Sequence, residues 1–225
     1  MPNPLSRVKL NCNFSHGSES LSKRPAEALL IMETIASISL AENARGLILS
    51  AMLGTESHIG LSMYLSIQTA STQKALLQAA ALSCLTDELL ELLRRIDKSA
   101  KSTFDLRNDF AHGLWGDSEE LPDAILWLSA RHFLDHVVEI DDGRKHVLPM
   151  LHDRKKILVY TIEELGKISL RAKGVASLYR LFSMLLDVGK KEANEHTNAF
   201  LGYDFNKKMI ESINLKIEAA FQSLT

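Results

Sequence analysis

Proline and glycine are scarce in this 225-residue sequence, at 5 and 11 positions, and aromatic residues make up only 6% of it. A sandwich or barrel needs frequent turns and strands rich in aromatic side chains, so this scarcity argues against both. Only two cysteines occur, Cys12 and Cys84, far apart and in no Cys-x-x-Cys pair. That pattern suits reduced thiols better than a disulfide or zinc framework. No stretch reaches the roughly 18 uninterrupted apolar residues of a membrane span, and the opening MPNPLSRVKLNCNFSHGSES lacks the apolar core of a leader peptide. A cytoplasmic location without a membrane partner is therefore expected. Neither sign of charge dominates, with 26 Lys and Arg against 28 Asp and Glu. The surface as a whole exerts no long-range pull on a polyanion, and any nucleic-acid contact has to be local.

What the chain does have is 46% hydrophobic residues, enough for a packed core, in a composition led by helix formers. A mainly α fold follows. Residues 1–24 are polar and irregular, with at most a short strand around Val8–Phe14, and look peripheral. Pro25 suits a helix start, and Leu29, Met32, Ile35, Ile38 and Leu40 recur at helical spacing toward Leu53. Gly54 is placed to end this helix, Thr55 to cap a second through Ile59, Met63 and Ile67, and Ser71 or Thr72 to cap a third carrying Ala75, Leu76, Ala79, Ala80 and Leu82. From Thr86 a stripe of Leu89, Leu92, Ile96, Ser99, Thr103, Leu106 and Phe110 stays in phase, as one long helix or two abutting ones. Gly113 is expected to stop it in the left-handed conformation.

After Gly116 the pattern changes. Residues 117–160 read as a β-rich insertion, with strands near 124–130 and 134–140 and a short third one over Lys156–Tyr160. Thr161 opens a further helix through Leu165, Ile168, Ala172, Val175, Leu178, Leu181, Phe182 and Leu185. Gly166 and Gly174 within it each cost about 1 kcal/mol relative to Ala, which close helix packing would explain. Residues 190–225 form a polar linker and a last short helix, leaving 25–189 as the main helical domain.

The stretch LRNDFAHGLWG, Leu106–Gly116, crowds an arginine, an asparagine and a histidine into six residues at a helix end. On an ideal helix Leu106 and Phe110 face the core, Asn108 and His112 stack on the opposite side, and Arg107 and His112 stand roughly 140° apart. Small Ala111 between them leaves room for a second helix to approach.

Arg107-Asn108-Asp109-Phe110-Ala111-His112 resembles the signature of the HEPN superfamily, helical bundles that carry an arginine, a polar residue and, four to six residues after the arginine, a histidine. Gly113 and Trp115 extend the likeness to the RN..AHG.W form of bacterial HEPN-like proteins. The resemblance runs more loosely over the helices from about 25 to 113 and over the Thr161 helix, and implies an up-down bundle. It does not extend to 117–160 or to the C-terminal residues.

Many HEPN proteins are metal-independent endoribonucleases whose motif helices meet across a homodimer to form one composite site. The resemblance therefore implies RNA as substrate and no cofactor. His112 would move the proton of a ribose 2′-OH or of the leaving 5′-oxygen. Arg107 would hold the phosphate, and Asn108 would orient the imidazole or the phosphate. The products would be a 2′,3′-cyclic phosphate and a 5′-hydroxyl. A toxin or defence role, with an antitoxin or nucleotidyltransferase-like partner, goes with that reading.

Other readings stand beside it. The same motif in other HEPN-like proteins binds nucleotides or only assembles. A plain structural alternative has Arg107 bonding a neighbouring helix's carbonyls and His112 capping its own. Arg94, Arg95, Lys98 and Lys101 precede the motif and are candidates to track a phosphate backbone, though such a run is commonly a solvated face. Separately, His132-Phe-Leu-Asp135-His136 sets two histidines four apart, so a metal hydrolase built on His132 and His136 is a further alternative, lacking an obvious third ligand.

Overall fold

A single helix, α5, runs from Asp87 to His112 and ends inside the motif. In the computed structural model, residues 2–8, 15–133, 154–194, 207–208, 211–216 and 218–219 are described. The expected strand at 134–140 falls outside them. Among the described residues the main helices are α1 (Ser18–Lys23), α2 (Pro25–Leu53), α3 (Ser57–Ser66), α4 (Ala70–Cys84), α5 and α6 (Ile162–Asn194). The mainly α fold is what the composition predicted, and the small β insertion is what the pattern after Gly116 predicted. No helix among the described residues is long and apolar enough to cross a membrane.

The chain divides into two compact units, Met1–Ile35 with Asp105–Leu170, and Ala36–Phe104 with Arg171–Thr225. In the first unit lies a five-stranded antiparallel sheet in the order β1 (Asn3–Pro4), β5 (Leu158–Thr161), β4 (Ala124–Leu128), β3 (Leu114–Asp117), β2 (Ser15–His16). The N-terminal segment is thus not peripheral. It supplies both outer strands, and Leu5 between them is 1% exposed. Val8 is not in a strand, and residues 9–14 are not among those described.

β4 is buried at all five positions, and its alternating side chains enter two different clusters. Ala124, Leu126 and Leu128 pack with Leu5, Ile157 and Val159. Ile125 and Trp127 pack with Ile31, Phe110, Trp115, Tyr160 and Leu165, the side of the sheet that meets the motif turn. Thr161 closes β5 and starts α6 through a reciprocal cap: Glu164 N donates to Thr161 Oγ1 at 3.2 Å, and Thr161 N donates to Glu164 Oε2 at 3.1 Å.

The second unit is helical. Its core joins Ala41, Ile48 and Leu49 of α2, Tyr64 of α3, Leu77 and Ala81 of α4, Leu92, Leu93, Ile96 and Ala100 of α5, and Tyr179, Phe182 and Leu185 of α6. Gly54 ends α2 in the left-handed region at φ 70°, as the sequence suggested. Three other expectations are corrected here. The caps are Glu56 for α3 and Thr69 for α4, where Thr69 Oγ1 accepts from Thr72 N, so Thr55, Ser71 and Thr72 are not caps. The buried face of α3 is Gly60 and Tyr64, while Ile59 and Met63 are exposed, because Gly60 lets α3 approach Ser50 so closely that a Cβ there would lie 2.7 Å from its Cα. Around Gly166 and Gly174 there is open space for a Cβ, so close packing does not account for either.

A charged cluster sits within this core. Arg45 Nη2 donates to Asp97 Oδ1 at 2.9 Å and to the Tyr179 hydroxyl at 2.7 Å, and that hydroxyl donates to Asp97 Oδ1 at 2.5 Å. The guanidinium also lies over Phe104, 4.0 Å from the ring centre. Burial alone would depress the Arg45 pKa, but Tyr179 and Asp97 outweigh it and hold it above its ordinary value.

Candidate functional site

The motif turn belongs wholly to the first unit, since α5 passes into it at Asp105. Its apolar residues are consumed by the fold. Phe110 is 2% exposed and meets Trp115 edge-on at 5.2 Å and Tyr160 at 5.6 Å between ring centres.

The helix ends against two indoles. Trp115 and Trp127 are directly paired across β3 and β4, so both rings stand on one face of the sheet. Trp115 Nε1 donates to the Phe110 carbonyl at 3.1 Å, and Trp127 Nε1 donates to the Asp109 carbonyl at 2.9 Å, which also accepts from Gly113 N at 2.9 Å. Trp115 thus supplies a donor to the Phe110 carbonyl, and Trp127 adds a second one to the Asp109 carbonyl, both among the last four carbonyls of the helix.

This corrects the expectation for Gly113. Among the described residues Gly54 alone is a left-handed glycine. Gly113 is instead required by close approach: a Cβ there would collide with the Trp127 indole and lie 2.7 Å from the Asp109 carbonyl oxygen. The chain then enters β3 one residue later, a strand that the sequence reading did not foresee.

The polar residues of the motif are left to the surface. Asn108 and His112 are exposed, and Arg107 is half-buried at the edge of the core-facing stripe. Arg107 Nη1 donates to Asn108 Oδ1 at 3.2 Å, while its Nε is buried with no hydrogen-bond partner among the described residues. The plain structural alternative gains no support from these contacts, because the hydrogen bond of Arg107 goes to Asn108 rather than to a helix carbonyl and the Asp109 and Phe110 carbonyls accept from tryptophans. On the same exposed face lie Asp105 and Asp109, at i and i+4. Partial burial and the neighbouring Asp105 raise the Asp109 pKa above the ordinary carboxylate value.

The four basic candidates belong to the helical unit and are used differently. Arg95 Nη1 donates to Asn214 Oδ1 at 2.7 Å, and its Nη2 lies 3.8 Å from Glu218. Arg94 stands 3.8 Å from Glu91 at the surface, and Lys98 and Lys101 are exposed. Of the metal alternative, His132 lies in a helical segment at 130–133, where its backbone N donates to Ser129 Oγ, whereas Asp135 and His136 are outside the described residues. Among those residues, no group of three His, Cys, Asp or Glu is arranged to hold a metal ion.

Trp127 is the site residue that the sequence reading missed. The chain has only two tryptophans, and their pairing across strands carries no local signal. No family model, curated protein or solved structure matches the chain.

Proposed function

We propose that this chain is a metal-independent endoribonuclease of HEPN type, in which Arg107, Asn108 and His112 act on a phosphodiester. The observation that carries the reading is the division of labour within RNDFAHGLW. Phe110, Gly113 and Trp115 are explained by packing and helix termination, whereas Asn108 and His112 are exposed and Arg107 is half-buried beside them, with Asp109 and Ala111 on the surface as well.

Their chemistry is coherent. An imidazole at the surface can take the proton of a ribose 2′-OH as that oxygen attacks phosphorus, or give one to the departing 5′-oxygen. A guanidinium offers a planar pair of donors to the phosphate oxygens whose charge grows in the transition state. Arg107 and His112 stand roughly 140° apart on one ideal helix, so a single helix does not aim both at one phosphate. Two copies related by a two-fold axis would bring the arginine of one beside the histidine of the other. The test is incubation of the protein with structured and single-stranded RNAs in EDTA. Cleavage that is lost in Arg107→Ala and in His112→Ala supports the reading, and equal cleavage by wild type and His112→Ala removes it.

A second reading, a non-catalytic module that holds a nucleotide or a partner domain, is favoured by Asp105 and Asp109. Two carboxylates on the face that carries Asn108 and His112 oppose a long polyanion and suit the partner-domain form of this reading. It predicts no RNA cleavage together with a nucleotide-dependent rise in Tm.

A further inference from the structure

Resting on the ribonuclease reading, we infer that Trp127 and Trp115 are positioning residues that fix the direction in which the last turn of α5 presents Arg107, Asn108 and His112. A helix end is ordinarily its least constrained part, because its final carbonyls lack partners and its last turn frays. A site whose groups all lie on that turn inherits the looseness unless something outside the helix holds it.

Here the hold comes from the sheet, at two levels. Along the buried side, Phe110 is enclosed by Trp115 and Tyr160, whose own ring centres are 5.8 Å apart, so the turn cannot rotate about the helix axis without leaving that cage. At the end, the two indole N–H groups take the carbonyls of Asp109 and Phe110, successive residues that lie between Asn108 and His112. The Trp127 indole also occupies the space where a Gly113 side chain would begin, directly after His112. Since Trp115 and Trp127 are cross-strand partners, the clamp is one rigid unit rather than two independent contacts. Neither indole is placed to touch a substrate: Trp115 and Trp127 are each 7% exposed.

Removing the Trp127 donor while keeping an aromatic ring therefore loosens the site from behind. Displacements on the order of 1 Å can cost about 10²-fold in rate.

The experiment compares wild type, Trp127→Phe and Gly113→Ala, the first removing the donor and the second pushing the indole aside, with Trp115→Phe as the substitute should either fail to fold. Two readouts are taken on protein shown to be folded by a cooperative thermal transition in far-UV circular dichroism. One is steady-state cleavage of a fixed RNA in EDTA. The other is hydrogen exchange of the Arg107 Nε–H by NMR, a proton buried in the wild type. The expected result is a fall in kcat of about 10- to 100-fold with KM within about threefold, and faster exchange at Arg107 well below the melting temperature. Wild-type kcat together with wild-type Arg107 exchange in the folded variants overturns the inference. Should wild type cleave no RNA, the ribonuclease reading fails alone, and the Arg107 exchange still decides the clamp: acceleration supports it and an unchanged rate overturns it.

Discussion

Arg107 donates from Nη1 to Oδ1 of Asn108 across 3.2 Å, a bond between consecutive residues, and its Nε is buried, so only the Nη1 and Nη2 end of the guanidinium is left to meet an anion. Lysine at this position keeps the charge but loses the fork that both grips Asn108 and matches a phosphate. Arg107→Lys is therefore expected to lower kcat for RNA cleavage by about 10²- to 10³-fold, the range typical of losing one aimed donor to a transition-state oxyanion. Activity close to wild type would show that charge alone suffices.

Asp97 accepts from both Arg45 and Tyr179, and its side chain is 14% exposed. Asp97→Ala leaves the Arg45 guanidinium enclosed without its carboxylate, and breaking a buried pair in this way destabilises by about 3–5 kcal/mol. Urea unfolding should show the loss as a lower midpoint at an unchanged slope. A change below about 1 kcal/mol would contradict the importance given to this cluster.

Two glycines should respond to alanine in opposite directions. Gly54 is left-handed at φ 70°, so Gly54→Ala is expected to destabilise by about 1 kcal/mol. Gly166 lies within α6 with open space for a Cβ, so Gly166→Ala is expected to stabilise by about 0.5–1 kcal/mol. Thermal unfolding of the two variants side by side checks the signs.

How much of this was legible in the sequence depended on how one-sided each element is. In α5 the polar and apolar residues separate cleanly, and Leu92, Ile96, Ser99, Thr103 and Phe110 are buried as their spacing predicted. In α2 apolar residues occur all round. Of the stripe Leu29, Met32, Ile35, Ile38 and Leu40, Ile38 is buried as its spacing predicted, but Leu29, Met32 and Leu40 are at least 60% exposed while Ile31 and Ala41 are buried. β1 and β2 are two residues long and exist only because β5 and β3 lie beside them, an information source no local window contains. The polar half of the motif could be read from residue type and spacing. The reason for its glycine and tryptophan could not, because it depends on Trp127, a residue on a different strand.

Asp117 joins β3 to α1 by accepting from Ser20 Oγ at 2.9 Å and Lys23 Nζ at 3.2 Å. Burial works to raise its pKa, but these bonds and the nearby positive charges outweigh it and hold the carboxyl below its ordinary value. A depressed carboxylate contributes stability above its unfolded pKa of about 3.9 and loses it as pH falls through the folded value. Stability of wild type should thus fall toward that of Asp117→Asn below about pH 4, and a difference independent of pH would contradict the assignment.

Asp109 has the reverse sign. Its carboxyl is raised by partial burial and by Asp105, so its ionised form works against the fold at neutral pH. Asp109→Asn is expected to stabilise slightly at pH 7, by no more than about 0.5 kcal/mol given its exposure to solvent, and so to raise Tm a little. The gain should vanish below about pH 4, where Asp109 is protonated in wild type too. A lower Tm at pH 7 would mean that this carboxylate has a stabilising partner.

The central claim is that an imidazole and a guanidinium left at the surface of this helix end act together on a phosphodiester. End-group analysis of RNA incubated in EDTA with wild type and with His112→Ala tests it most directly. The account predicts fragments with 2′,3′-cyclic phosphate and 5′-hydroxyl ends from wild type and intact RNA from the variant. Intact RNA from both, or identical fragments from both, would contradict it.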